Sequence, residues 1–295
     1  MVPHSQSTHL TGSPDFYASL IQSLREGVVA VDRSLTITLW NHALEQLTGY
    51  GESQMLGQSA TSKTLQPLDR EGRPQDAAEL PLARALSHAE SRDAREYLKH
   101  SCGYRFPVET RTFPVRDSDG RIRGAAQTFQ AKLNRWYAPP SAAPDEVDPA
   151  SGVLARGYGE QRLNSILQAS RHFRRRRGLY LIHVAELTQL ERRFGMDAEQ
   201  AAISVCGQTL QHCAEADDIL VRWNRAWFLC LAPLADAGDL NVIRDRMQNV
   251  LSATSFPWWG DPVPLTVKVG AVLVQVDRSL LEQAAEAKAL AESES

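Results

Sequence analysis

The chain has 295 residues, 43% hydrophobic and 23% charged, with a formal net charge of −3. That length leaves room for two ordinary domains, and the composition is globular. The slight negative balance gives no reason to expect a nucleic acid as partner. One basic run, Arg171-His172-Phe173-Arg174-Arg175-Arg176-Arg177, reads as a solvated helix end whose cations suit the C-terminal dipole. The cysteines, Cys102, Cys206, Cys213 and Cys230, form no C-x-x-C pair. They fit a reducing cytoplasm rather than a zinc site. No apolar run is long enough to span a membrane, and Met1–Gly12 lacks the apolar stretch of a secretory leader.

Residues 1–14 are polar and are expected to form a disordered tail. Phe16, Leu20 and Leu24 recur at helical spacing and predict a helix from Asp15 to Leu24. Gly27–Asp32 is a short apolar strand, and Leu35–Trp40 alternates as the second strand of a hairpin. Asn41–Tyr50 holds a short helix stopped at Gly49. Leu80–Leu86 reads as a further helix. Asp93–His100, Arg105–Pro114 and Gly124–Gln130 are strand-like, with turns at Gly103 and at Asp119-Gly120.

Within this half, Glu26-Gly27-Val28, Trp40-Asn41, Leu47-Thr48-Gly49-Tyr50 and Leu56-Gly57 resemble a PAS domain in order and spacing. The resemblance implies a five-stranded antiparallel sheet with helices over residues 15–132. It also implies a module that binds a ligand between sheet and helices, dimerises, or does neither. Trp40, Asn41 and Tyr97 are the pocket candidates. No cysteine lies between Met55 and Leu86 to serve a flavin–thiol photosensor. His88 reads as an exposed helix-end residue rather than a haem ligand. An unidentified small ligand, or a flavin held non-covalently against Trp40, stays open beside the plainer reading that Trp40 packs the core. Residues 133–147 contain Pro139, Pro140 and Pro144 and form a linker. The prolines interrupt any helix and no heptad repeat is present, so a flexible joint between domains is expected.

The second half alternates. Helices are predicted at Gly159–Arg175, Leu187–Gly195, Ala198–Cys213, Leu240–Leu251 and Leu280–Leu290, and strands at Gly178–Ala185 and Leu265–Val276. Between Asp217 and Pro233, two apolar runs flank Asn224-Arg225-Ala226, which signals a hairpin. The pattern is that of an α/β fold with an antiparallel hairpin. Trp258-Trp259 falls in a stretch rich in proline and glycine and reads as a loop.

Asp148–Arg156, the frame from Asp218 through Arg222-Trp223 to Pro233, and Val267-Lys268-Val269-Gly270-Ala271-Val272 are similar to a GGDEF domain of the diguanylate cyclase family, over residues 148–295. The resemblance implies a central sheet surrounded by helices, and it places the family's active hairpin on Asn224–Phe228. Only Phe228 keeps the family's identity there. The metal-binding carboxylates of the family fall on His183, Ala226 and Trp227, and its guanine-reading pair on Glu191 and Gln200. The two glycines that admit phosphate fall on Asn224 and Arg225, whose side chains would intrude. The feedback site of the family falls on Glu215 and Asp218, with glutamate where arginine is usual.

A nucleotide cyclase needs carboxylates to hold the cations that neutralise a triphosphate. The expectation is therefore a cytoplasmic signalling protein in which a PAS sensor module precedes a GGDEF-like domain without cyclase activity, set in cyclic-di-GMP signalling. It would act through protein or ligand contacts, with Arg225 and Trp227 as anchors for a partner or for its own PAS domain. The contrary reading makes Trp227 the filling of an abandoned nucleotide pocket. A cyclase-family enzyme with weak or altered GTP binding, and a dimerisation scaffold pairing through PAS, are the alternatives.

Overall fold

The structure, a computed structural model, describes residues 13–62, 64–131, 143–170, 176–185 and 187–293. Residues 1–12 of the expected tail, the prolines 139 and 140 and most of the basic run lie outside these residues, while Ser13 and Pro14, also assigned to the tail, begin the first helix.

The N-terminal half begins with α1 (Pro14–Gln22), which Ser13 caps through its hydroxyl. β1 (Gly27–Asp32) and β2 (Ile37–Trp40) form the first hairpin, followed by α2 (His42–Thr48), α3 (Glu52–Met55) and α4 (Pro81–His88). Three longer strands follow: β3 (Arg92–Lys99), β4 (Arg105–Arg116) and β5 (Ile122–Ala131). The sheet order is β2-β1-β5-β4-β3, every pair antiparallel. Its core gathers Val29, Trp40, Leu44, Leu98, Phe106 and Phe129.

The C-terminal half contains β6 (Leu154–Ala155), α5 (Arg156–Ser170), β7 (Arg177–Val184), α6 (Leu187–Phe194), α7 (Met196–Cys213), β8 (Ile219–Asn224), β9 (Trp227–Pro233), α8 (Asp239–Ser252), β10 (Ser255–Trp258), β11 (Asp261–Pro264), β12 (Val267–Leu273) and α9 (Leu280–Ser293). A five-stranded sheet runs β12-β7-β9-β8-β6, and β10-β11 stand apart as a pair. β7 and β9 occupy central positions and are buried along almost their whole length, as continuous apolar runs should be. Gly270 on β12 lets α9 lie close, because an added Cβ would sit 1.8 Å from the Ala287 carbonyl oxygen. The Trp258-Trp259 stretch is a hairpin, not a loop. Pro257, Pro262 and Pro264 are tolerated because a two-stranded pair has only edges, so a missing N–H need not break a ladder.

The two halves are not loosely tethered as the linker suggested. Arg105, 1% exposed, crosses the boundary. Its Nε and Nη2 donate to the Ala253 carbonyl at the end of α8, both at 3.2 Å, and its Nη1 donates to the Gln66 carbonyl of its own domain. Its backbone N–H donates to Thr209 Oγ1 on α7 at 3.1 Å. Tyr104 stacks between His100 and His212, with ring centroids 4.5 and 4.9 Å away, and packs against both cores. Leu68 and Tyr97 join Val250 in a small shared cluster. Gly103, at φ +98°, lies so close to Ser255 that a Cβ would meet its carbonyl oxygen at 1.8 Å. Proline content governs whether a helix can connect two domains, but it says nothing of whether their surfaces fit.

Arg105→Met should therefore cost about 2–4 kcal/mol, since it removes charge-assisted bonds and leaves two partly buried carbonyls without their donors. Urea unfolding should show the loss, and small-angle scattering should show a larger radius of gyration. An unchanged scattering profile would mean that the docking does not hinge on this residue.

Candidate functional site

The β8–β9 hairpin is where the chemistry-bearing positions converge. Asn224 pairs with Trp227, leaving Arg225 and Ala226 as a two-residue turn, and a register shift between Arg222 and Asn224 bulges the first strand. Asn224 Oδ1 accepts from the Ala226 N–H at 3.1 Å and stabilises the turn. Arg222, 8% exposed, bonds to the Arg225 carbonyl and lies over the Phe228 ring, 4.5 Å from its centroid. Trp223 is covered by the Arg156 guanidinium at 4.7 Å.

β7 and β9 pair so that His183 faces Trp227 across the ladder. Their rings stack with centroids 4.3 Å apart and planes 16° from parallel. Trp227 is 5% exposed. Lys288 of α9 reaches the other environment of that ring, with its Nζ 5.6 Å from the centroid. Burial pushes the His183 imidazole below its ordinary pKa. The carboxylate of Glu292 works against that, and Lys268 and Lys288 add to it. Among the described residues, no group of three or more His, Cys, Asp or Glu is placed to hold a metal ion.

Trp227 is thus a core residue and not the surface anchor expected of it. Indole burial between a histidine and an apolar sheet outweighs the exposure that hairpin tips usually have. Arg225 is on the surface, its side chain 53% exposed, but it is engaged. Its Nε and Nη2 each donate to Glu199 at 2.7 Å, and Nη2 also donates to Glu191. Those bonds hold the Glu199 carboxyl below the usual range. Glu191 is therefore part of the site, whereas Gln200 is exposed. The residue that sequence reasoning missed is its neighbour Glu199, buried at 7% exposure. Its acidic character on a mostly apolar helix was the available signal.

Glu215 and Asp218 come together, with the Glu215 N–H donating to Asp218 Oδ2 at 2.9 Å. Glu215 also faces Arg95 of the first domain at 3.8 Å. Burial pushes the Asp218 carboxyl up to about 6, against the lowering effect of the Glu215 N–H and Arg246.

In the first domain, Trp40 lines a cavity of about 40 Å³ with Leu44, Leu98, Gln127 and Phe129. Space of that size holds one or a few waters, not an isoalloxazine ring. Trp40 donates its indole N–H to the Tyr50 carbonyl at 3.0 Å. Asn41 does not face the cavity. Its Oδ1 accepts from Val28 and Leu44, and its Nδ2 donates to Ile21 and Glu26, so its amide ties α1, β1 and α2 together. Tyr97 is also absent from the cavity wall. Strand alternation turns Glu96 and Leu98 inward and Tyr97 outward, against the second domain. The cavity's ionisable group is Glu96, 2% exposed, bonded to Gln75, Thr110 and Gln127; burial raises its pKa.

Comparison with known proteins agrees with both halves. The PAS fold family matches residues 15–131. The diguanylate cyclase, GGDEF domain family matches residues 145–293, half of the chain. The chain belongs to the GGDEF family and carries a PAS domain ahead of that domain. It is similar in structure to the diguanylate cyclase SiaD from Pseudomonas aeruginosa, solved in complex with its activator SiaC, at 18% identity and a TM-score of 0.47. That match covers 50% of this chain and 56% of the other, so this chain spans little more than half of it. It is similar as well to a sensory box/GGDEF family protein from Caulobacter crescentus, at 18% identity and a TM-score of 0.46, covering 50% of this chain and 96% of that one. The PAS domain of an HTR-like protein from Haloarcula marismortui matches at 18% identity and a TM-score of 0.32, over 39% of this chain and 88% of the other. No match was found among curated proteins. No helix among the described residues is long and apolar enough to cross a membrane.

Two outcomes are expected at these residues. Trp227→Ala should lower stability by about 3–5 kcal/mol, as for other large buried aromatics, and denaturant unfolding would measure it; a loss near zero would return Trp227 to the surface. Asp218 has a folded pKa above its unfolded value, so the folded state holds the extra proton. Stability from this group is present below pH 3.8 and lost as pH rises to about 6. Asp218→Asn should flatten that part of the melting-temperature profile.

Proposed function

We propose that this protein is a signalling component in which the GGDEF domain has given up cyclase chemistry and serves as the docking body for the PAS domain. The pairing of PAS and GGDEF domains points to cyclic-di-GMP signalling. The observation that carries the inactive reading is the His183–Trp227 stack. Family resemblance puts two metal carboxylates at those positions. The stacked rings themselves offer a divalent cation no carboxylate oxygen, and Lys268 and Lys288 bring like charge close by, against the single carboxylate of Glu292. Arg225, tied to Glu191 and Glu199, fills the turn where a phosphate would approach. At the feedback position, Glu215 brings negative charge, which disfavours a cyclic dinucleotide's phosphates, and the nearby Arg95 faces that carboxylate at 3.8 Å.

The protein would then act through contacts. With Trp227 buried, the exposed aromatic best placed for a protein partner is Trp259, 89% exposed at the tip of β10–β11. A second copy has a different surface available on α1, where Phe16, Tyr17 and Leu20 are each about half exposed.

Purified full-length protein incubated with GTP and magnesium or manganese should yield no cyclic-di-GMP by chromatography. Product above the no-enzyme control, lost on Arg222→Ala, would overturn the reading.

A further inference from the structure

The turn between β3 and β4 carries much of the PAS domain's contact with the second domain. Gly103 meets Ser255 of β10, Tyr104 stacks on His212 of α7, and Arg105 bonds to Thr209 and to the Ala253 carbonyl. The turn is fastened at its start by His100. The main chain of His100 donates to the Tyr104 carbonyl and accepts from the Gly103 N–H. Its imidazole Nδ1 accepts from the Cys102 N–H at 3.1 Å. One face of the ring lies on Tyr104, with centroids 4.5 Å apart. Its Cε1–Nε2 edge presses on Gly49, where an added Cβ would stand 2.9 Å from either atom.

A ring nitrogen that accepts must keep its lone pair, so this imidazole is neutral, with its proton on Nε2. An imidazolium is a donor at both nitrogens. A proton on Nδ1 would set two N–H groups against each other inside the turn. The surrounding charges oppose it as well. Lys99, Cys102, Tyr104 and Arg105 lie in or beside the turn, Tyr50 flanks it, and His212 stands beyond Tyr104. Burial and the Arg105 guanidinium lower the Lys99 pKa, and Arg105 is itself a buried cation. Burial lowers the His100 pKa below its ordinary value.

We propose that His100 is a proton-sensitive pin for the joint between the domains: neutral, it fastens the turn that meets the second domain, and protonated, it loosens that turn and lets the PAS domain separate. A histidine with a depressed pKa in the docked form favours docking fully above its ordinary value of 6.5, and the benefit is lost as pH falls. A single proton weakens docking by at most about tenfold for each pH unit. Asp218 works in the opposite sense, because its raised pKa favours the folded form in acid. Separation on acidification is therefore not its signature.

The test is small-angle scattering of the full-length protein from about pH 8 to about pH 5, the range in which histidine changes charge. The radius of gyration should rise reversibly as the pH falls, with far-ultraviolet circular dichroism unchanged. His100→Asn keeps an acceptor near the place of Nδ1 and cannot take a proton, so it should stay compact throughout. If that variant does not fold, the imidazole signals of the wild-type protein decide: His100 should titrate below its ordinary value, at the same midpoint as the expansion. A constant radius, an expansion that persists in His100→Asn, or a His100 midpoint apart from that of the expansion each overturns the proposal. The response rests on the second domain serving as the docking body for PAS, and the two fail differently. Domains already apart at about pH 8 refute both, whereas domains that stay together throughout refute only the proton response.

Discussion

Arg105 carries a full charge into the boundary between the domains and, among the described residues, pairs with no carboxylate there. Carbonyl oxygens from both sides receive its N–H groups instead, and desolvation lowers its pKa to about 10. A guanidinium so placed is expensive unless each donor is met, so it specifies one relative position of the two surfaces. Around it the other contacts fall into line. The Tyr104 stack, the Leu68–Tyr97–Val250 cluster and the approach of Gly103 to Ser255 each require the same placement.

In the hairpin of the second domain, the frame and the side chains it carries answer to different forces. The strand pairing that brings β7 against β9 is intact, and so is the two-residue turn. Frame and chemistry are separable because the ladder is held by backbone groups, which are indifferent to side-chain identity. With aromatic rings at facing positions, the space closes by stacking. With arginine in the turn, the acidic face of α6 and α7 gains a partner. Each change satisfies its neighbours locally, so the hairpin is stable without a bound ion or nucleotide.

Both folds were legible from the order of apolar runs and glycines, and most elements lie within a few residues of where periodicity put them. The site was legible less evenly. His183, Ala226 and Trp227 could be placed by position, but the stack between two of them is a property of strand register that no single run displays. Asn41 was visible as a distinctive residue, and its task turned out to be capping and tying backbone together. Tyr97 was assigned to the wrong side of its strand. Three consecutive buried residues, Glu96, Tyr97 and Leu98, mean that both faces of β3 are covered, and only the docked second domain explains the outer one. The linker misled for a related reason. Its prolines exclude a helical relay, while the coupling runs through packed surfaces remote from it in sequence.

The carbonyl-only environment of Arg105 has a consequence for ionic strength. Contacts held by exposed ion pairs loosen as salt screens them, and the Arg95–Glu215 pair at this boundary is of that kind. A buried cation solvated by peptide dipoles is screened far less, because mobile ions cannot enter the space between donor and acceptor. The two domains are therefore joined by a contact that brine should leave in place, and the ions of the medium become a poor signal for separating them.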